Sequence, residues 1–357
     1  MIYLDYQATT PLAPEAREAM LRWLSDDGFA NPHSSHRPGR AAAVAVAVAR
    51  ESVAGLFPPG GRVIFTSGAT EAINLAMKGV ALRGRSIAHS AIEHSAVIET
   101  ARALGGAHVL PVGADGLLRA DAGLPDDLGL LAVMQVNNEI GTVQPADELA
   151  ARARALGALV LVDAVQGAGK LAPPMQADMI AVSAHKIHGP KGIGALWLRD
   201  GVDLAPLLHG GGQEDGLRSG TLSPALCAGF GAAAALCVSL RESDGQHVDR
   251  LWKTARETLH RWTLNGDDRQ RWHGNLNVRL DGLDVARLMS DLRDIALSAG
   301  SACASGTGKP SHVLAALGLS GRQAKNSVRI GFGRYTEIGE FAGAMERIDA
   351  AAKVQGV

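Results

Sequence analysis

Ser183-Ala184-His185-Lys186 directly follows an apolar run ending at Val182, and Asp163 directly follows another ending at Val162. If both runs are strands of a parallel sheet, their carboxyl ends are where ligand sites gather. A lysine there is commonly a solvated surface residue, yet its company suits one cofactor. Pyridoxal phosphate needs a lysine for its aldehyde, a carboxylate to keep the ring nitrogen protonated, and donors for its phosphate. Asp163, 23 positions before Lys186, suits the ring nitrogen, although an aspartate after a strand also serves as a helix N-cap. Gln166 could donate to the cofactor's phenolic oxygen or be an ordinary solvated amide. Thr66-Ser67-Gly68-Ala69-Thr70-Glu71 joins the Val63 run to a helical segment, so its N–H groups and hydroxyls can hold phosphate or simply cap the helix. No G-x-G-x-x-G, G-x-x-x-x-G-K-[ST] or H-E-x-x-H occurs, so dinucleotide, P-loop and zincin chemistry lack their signatures.

The thiols divide into two kinds. Cys303 lies in Ser298-Ala299-Gly300-Ser301-Ala302-Cys303-Ala304-Ser305-Gly306-Thr307-Gly308, with little apolar side chain to pack, which is the setting expected of an exposed, reactive thiol. Cys227 and Cys237 sit in an Ala-rich helical segment, where a thiol behaves as a small hydrophobe.

Elements of strand length must position these groups. Val63-Ile64-Phe65, Leu130 to Val136, Leu159 to Val162, Met179 to Val182 and Ala195 to Leu198 are apolar throughout, and helically spaced segments such as Ala69 to Leu82 and Pro145 to Leu156 lie between them. Strands apolar on both faces alternating with helices indicate an α/β fold with a largely parallel sheet. The pattern changes after an Ala-rich helix expected to end near Leu240, where Arg241 to Gln246 turns polar. We expect a large domain over 13–240 and a smaller α+β domain built from 1–12 and 241–357.

The 357 residues suffice for two such units, with 43 glycines and few aromatics forcing a core of Ala, Val, Leu and Ile. Thirty-five basic against 36 acidic residues, with no run of one sign, give no electrostatic footprint for nucleic acid or an anionic membrane. Three cysteines without C-x-x-C spacing argue against a disulfide framework or a thiol zinc site; no metal is expected. With no secretory pattern at Met1-Ile2-Tyr3-Leu4-Asp5, the expected compartment is the cytoplasm. The uncharged run Ser219 to Leu240 carries Pro224, Gly229 and Gly231 and is expected to be a buried helix of a soluble protein.

Leu4-Asp5-Tyr6-Gln7-Ala8-Thr9-Thr10-Pro11, Thr66 to Asn74, Ile92-Glu93-His94, Val136-Asn137-Asn138-Glu139-Ile140-Gly141, Val162 to Gln166, Ser183 to Lys186, Arg218-Ser219-Gly220-Thr221 and Ser301-Ala302-Cys303 occur in that order. From residue 3 to about 336 the chain thus resembles the cysteine desulfurases of the class V aminotransferase fold, the branch of the nitrogen-fixation and housekeeping iron–sulfur enzymes. The resemblance implies a pyridoxal-phosphate-dependent transferase fold. Lys186 would hold the cofactor covalently and Asp163 would pair with its ring nitrogen. Gln166 would donate to the phenolic oxygen, and Ala69, Thr70, Ser183 and His185 would hold the phosphate. His94 would stack on the ring and transfer protons, and Asn138 would lie near ring and substrate. Arg329 would clamp the substrate carboxylate with help from Asn31, and Cys303 would take sulfur from L-cysteine as a persulfide, leaving L-alanine. Thr221 would reach the phosphate of a neighbouring subunit, making a homodimer. A sulfur-acceptor protein would follow, either an iron–sulfur scaffold or a thiolation enzyme for tRNA or a cofactor. A selenocysteine lyase or another enzyme of the same fold reads almost the same. Ala184 replaces a glycine usual in housekeeping members, and small residues are commoner where His33 stands.

Overall fold

The computed structural model describes residues 1–25, 28–300 and 311–357. The chain runs through β1 (Ile2–Tyr3), α1 (Pro14–Leu21), α2 (Arg37–Ala54), β2 (Gly61–Thr66), α3 (Ala69–Gly79), β3 (Ser86–Ser90), α4 (Ser95–Ala103) and β4 (His108–Leu110). Next come β5 (Leu128–Met134), α5 (Ala146–Ala155), β6 (Leu159–Asp163), β7 (Met179–Ser183), β8 (Gly194–Arg199) and α6 (Pro224–Thr258). The remainder is β9 (Thr263–Leu264), β10 (Asn275–Arg279), α7 (Val285–Asp291), β11 (Ile295–Ala296), β12 (Ser298–Ala299), α8 (His312–Ala316), α9 (Gly321–Lys325), β13 (Ser327–Gly331) and α10 (Ile338–Val354).

Seven strands form the main sheet in the order β2-β8-β7-β6-β5-β3-β4. Only β8 runs against its neighbours, pairing antiparallel with β2 and β7. The sheet is apolar on both faces because both are covered. Val63, Phe65, Val160, Val162, Ile180 and Val182 pack into one core. Their alternates Ile64, Leu161, Met179 and Ala181 pack into the other, with α3 contributing Ile73, Leu75, Ala76 and Met77. The parallel direction brings the carboxyl ends of β2, β5, β6 and β7 to one edge, with Thr66, Met134, Asp163 and Ser183 as their last residues.

A second sheet, β12-β13-β10-β9, is antiparallel and carries Arg329 at the middle of β13. Its core joins Leu276, Val278, Val328 and Ile330 to Phe341, Met345 and Ile348 of α10, and it takes in Leu4 from the N-terminal segment. That segment then crosses back to the main sheet, where Thr10 N donates to His185 O at 2.9 Å.

One element departs from expectation. The helix expected to end near Leu240 continues to Thr258, so 241–246 is helical and not a polar loop. Cys227, Phe230, Ala234 and Cys237 face the main-sheet core, and Val248, Leu251 and Ala255 face the second core. The polar stretch marks the turns where α6 passes from one core to the other, with solvent or a salt bridge around it, and a hydropathy lapse there does not end a helix. By length and composition α6 could cross a membrane. Its apolar face is instead engaged by these two cores.

Candidate active site at the strand ends

A cavity of about 630 Å³ opens at the carboxyl edge of the main sheet, and Ala69, Thr70, His94, Asn138, Asp163, Gln166, Ser183, His185, Lys186 and Arg329 all line it. Asn31 and Thr221 do not line it. The Asn31 side chain accepts from His33 N at 2.9 Å, closing a local turn, and Thr221 is exposed beyond the Arg218 segment. Cys303 lies outside the described residues.

Lys186 closes a 3-10 turn that starts as soon as β7 ends, which turns its side chain back over the strand edge. Its Nζ donates to Gln7 O and, at 2.9 Å, to Ala8 O. The N-terminal segment thus crosses the mouth of the sheet as a lid of carbonyls. Gln166 reaches the same carbonyl, with Nε2 donating to Gln7 O at 3.0 Å, while its Oε1 is buried without a partner.

Asp163 is buried at the last position of β6, and Val165 N donates to its Oδ1 at 3.0 Å. Burial pushes the carboxyl up, against the pull of His94, the Val165 N–H and Lys186. A buried carboxylate in this state favours a cationic or N–H-bearing partner. His94 is the N-cap of α4, and its Nδ1 accepts from Ala96 N at 3.1 Å. That bond assigns the proton of the neutral ring to Nε2.

Gly68 caps α3, and the first-turn N–H groups at Ala69 and Thr70 have no partner within the helix. A Cβ on Gly68 would lie 3.7 Å from Ser183 Oγ, and a Cβ on Gly194 would lie 2.7 Å from Gly68 Cα, so both glycines keep this corner narrow and open. The cradle is braced from behind: Ser67 N donates to Glu71 Oε2 at 2.7 Å, and Arg218 Nε donates to Glu71 Oε1 at 2.7 Å. His185, with Nδ1 3.2 Å from Thr9 Oγ1, is held down to about 4 by burial and by Lys186 and Lys191, so it is neutral at pH 7. Glu71, Arg218 and the Gln7 carbonyl carried no assigned role in the sequence reading, although all three lie in its motifs.

Arg329 is 1% exposed. Its Nη2 donates to Asp5 Oδ1 at 2.6 Å and its Nη1 to Asn138 O at 3.1 Å, while Nε has no partner. Asp5 lies in the Leu4-to-Pro11 motif, but nothing in the sequence marks it as the partner of Arg329. Two buried acids stand behind the site. Burial pushes Glu93 up to about 8 and Glu139 up to about 7. Cys227 and Cys237 are buried as expected of packing thiols, and burial pushes Cys227 up to about 12.

Comparison with known proteins agrees with this architecture. The family described as aminotransferase class-V matches residues 2–341. A cysteine desulfurase IscS from Shewanella amazonensis is 44% identical over 94% of this chain and 88% of its own length. A NifS-like protein from Rickettsia africae superposes with a TM-score of 0.89 at 27% identity, covering 99% of both chains. SspA, solved in complex with cysteine, superposes with a TM-score of 0.80 at 34% identity, covering 94% of this chain and all of that one (100%). The fold, the motif order and these relatives agree, and the chain belongs to the class-V aminotransferase family.

Proposed function

We propose that the cavity binds pyridoxal 5'-phosphate and that the chain is a pyridoxal-phosphate-dependent cysteine desulfurase, converting L-cysteine to L-alanine with transfer of sulfur to Cys303. The observation that carries this is the convergence of Lys186, Asp163, Gln166 and the amino end of α3 on one cavity that also admits Arg329. These groups fit the cofactor: the buried Asp163 carboxylate suits a protonated ring nitrogen, Gln166 Nε2 has a second N–H beyond the one given to Gln7 O with which to donate to the phenolic oxygen, and the Gly68 corner suits a phosphate. Relatives named cysteine desulfurase over most of the chain, and a cysteine complex of a structural neighbour, support the substrate.

When bound, the cofactor supplies an electron sink for bonds at the amino acid's α-carbon. Lys186 would hold it covalently and would move a proton at the substrate α-carbon. Asp163 keeps the ring nitrogen protonated; Ala69, Thr70, Ser183 and His185 hold the phosphate. His94, which lines the cavity, would donate a proton from Nε2, since Nδ1 is engaged by Ala96 N. Arg329 would orient the substrate carboxylate with Asn138 beside it, while Asn31, outside the cavity lining, takes no part. Because His94 stands as a donor, the substrate itself takes the Cys303 proton. The Cys303 thiolate attacks the substrate sulfur, the Cβ–S bond breaks, the sulfur stays on Cys303 as a persulfide, and the remaining three carbons leave as alanine.

The working unit in this reading is a homodimer in which the exposed Thr221 hydroxyl serves the neighbouring copy's phosphate. The lobes divide as 13–240 and 1–12 with 241–357, and a cytoplasmic acceptor protein, an iron–sulfur scaffold or a thiolation enzyme, takes the persulfide sulfur. Incubation of the purified protein with L-cysteine tests the reading. It predicts one alanine per sulfur transferred and a 32 Da increment (~32, one sulfur atom) on the Cys303 peptide. Alanine formation with no added sulfur on that peptide would reject Cys303 as acceptor.

A further inference from the structure

Behind the N-terminal lid, on the side of Gln7 away from Lys186, lies a second and much smaller cavity of about 30 Å³, lined among others by Gln7, Lys170, His188, Cys237, Asp244 and Arg334. It is large enough for one or two water-sized species and too small for sulfate or phosphate. Its walls come chiefly from the N-terminal segment, the turn after Gln166, the turn after Lys186, the middle of α6 and the exit of β13. Gly169 makes the approach possible, because at φ +71 a Cβ there would lie 2.7 Å from Cys237 Cβ.

The wall chemistry is unbalanced. Asp244 accepts from Arg334 Nε at 3.0 Å and from Nη2 at 2.7 Å, so this pair is closed. Arg334 Nη1 is buried with no partner, on a side chain only 8% exposed. Lys170 also lines the cavity, where burial and Lys186 press its ammonium down to about 8, with only Cys237 acting the other way. His188 is neutral, held near 4 by burial and Arg334, and burial pushes the Cys237 thiol up, so neither adds a charge. One cation is left over, facing an unpaired guanidinium N–H.

We infer that this cavity is a binding site for a single small monovalent anion of the halide class, held between Lys170 Nζ and Arg334 Nη1 with the Cys237 Sγ at its side. A water molecule would satisfy Nη1 and leave the surplus charge. A monatomic anion satisfies both and fits the space. The site ties the loop carrying Gln166 to the segment after Arg329, so its occupant braces the two lobes against each other one residue behind the Lys186 acceptor carbonyl.

Crystals of the cofactor-loaded protein soaked in bromide test this directly. An anomalous peak in contact with Lys170 and Arg334 is expected. In solution, chloride should raise the thermal midpoint in a saturable way relative to gluconate at equal ionic strength and saturating cofactor, and Lys170→Met should lose that rise. Bromide peaks elsewhere with none in this cavity would overturn the inference, and so would coincident chloride and gluconate curves or an undiminished rise in Lys170→Met. A peak seen only at molar bromide with no midpoint shift would show an adventitious ion and overturn it equally. The crystal experiment uses the unmodified chain, so it holds even if the variant folds poorly, and none of these outcomes bears on the desulfurase reading.

Discussion

Removing the Arg329 guanidinium should raise the KM for cysteine far more than it lowers kcat. In the structure Nη2 is already committed to Asp5 Oδ1 at 2.6 Å and Nη1 to Asn138 O at 3.1 Å, leaving Nε open. An incoming carboxylate therefore takes the Nε–H in full and a second N–H on the Nη2 that Asp5 already engages. At about 1.5–3 kcal/mol per hydrogen bond to a charged group, one full and one shared bond amount to about 3–4 kcal/mol. That corresponds to a fall of about 10²–10³-fold in kcat/KM. The carboxylate is held alike in the bound substrate and the transition state, so the loss belongs to KM. Arg329→Ala alone would strand the Asp5 carboxylate, at a cost of about 3–5 kcal/mol in stability, so the variant to assay is Arg329→Ala with Asp5→Asn. Asp5→Asn by itself keeps the clamp's charge, loses only its orientation, and should cost about tenfold or less. The assay is alanine release against cysteine concentration, with the bound cofactor's absorption as a control for the cavity. A double variant within about threefold of the parent in kcat/KM would refute the assignment of Arg329 as the carboxylate clamp.

Gly68→Ala places a methyl group in the corner beside Ser183 Oγ, so the cofactor should bind at least tenfold more weakly, about 1.4 kcal/mol, in equilibrium dialysis; unchanged affinity would move the phosphate elsewhere. Glu93 is pushed up to about 8 by burial, against ~4.3 in an unfolded chain, so between those pH values the unfolded state releases a proton that the folded state keeps, and stability falls as pH rises. Glu93→Gln should therefore gain on the parent in urea midpoint from pH 5.5 to pH 8 (about 2.5 pH units of that window); a pH-independent difference would show that Glu93 is ionised in the fold. Glu214 accepts from Arg50 Nη1 and Nη2 at 2.7 and 2.6 Å and from Phe65 N at 2.7 Å, so Glu214→Ala should cost about 3 kcal/mol in urea unfolding. Cys303→Ser should keep the cofactor's visible absorption and lose sulfur transfer from cysteine; normal turnover would reject the thiol's role.

The uniformly apolar strands β2, β5, β6, β7 and β8 could be read from sequence because both of their faces are covered. β3 could not, because Ser86, His89 and Ser90 make it polar. It is nonetheless buried between β4 and β5, its Ser90 hydroxyl donating to the buried Glu93 and its His89 ring meeting Ser90 O at 2.8 Å. Polar groups that satisfy one another inside a sheet leave no periodic signal. The extent of α6 was hidden for a related reason: hydropathy reports what a helix touches, and α6 changes partners midway. Within the site, Lys186, Asp163 and Gln166 could be read from their places after apolar runs. Asp5 could not be matched to Arg329, since 324 residues separate them and only the folded chain brings them together. The buttress of Glu71 by Arg218 is hidden in the same way, by a separation of 147 residues.

The proposed chemistry depends most on which lysine carries the cofactor. Three lysines lie at or close behind the strand ends, Lys186 and Lys191 in the cavity and Lys170 beyond the Gln7 lid. Loading the protein with pyridoxal phosphate, reducing it with borohydride and mapping its peptides separates them. The pyridoxyl group is expected on Lys186 and absent from Lys191 and Lys170. Label on Lys191 or Lys170, or no label on any of the three, would contradict that assignment.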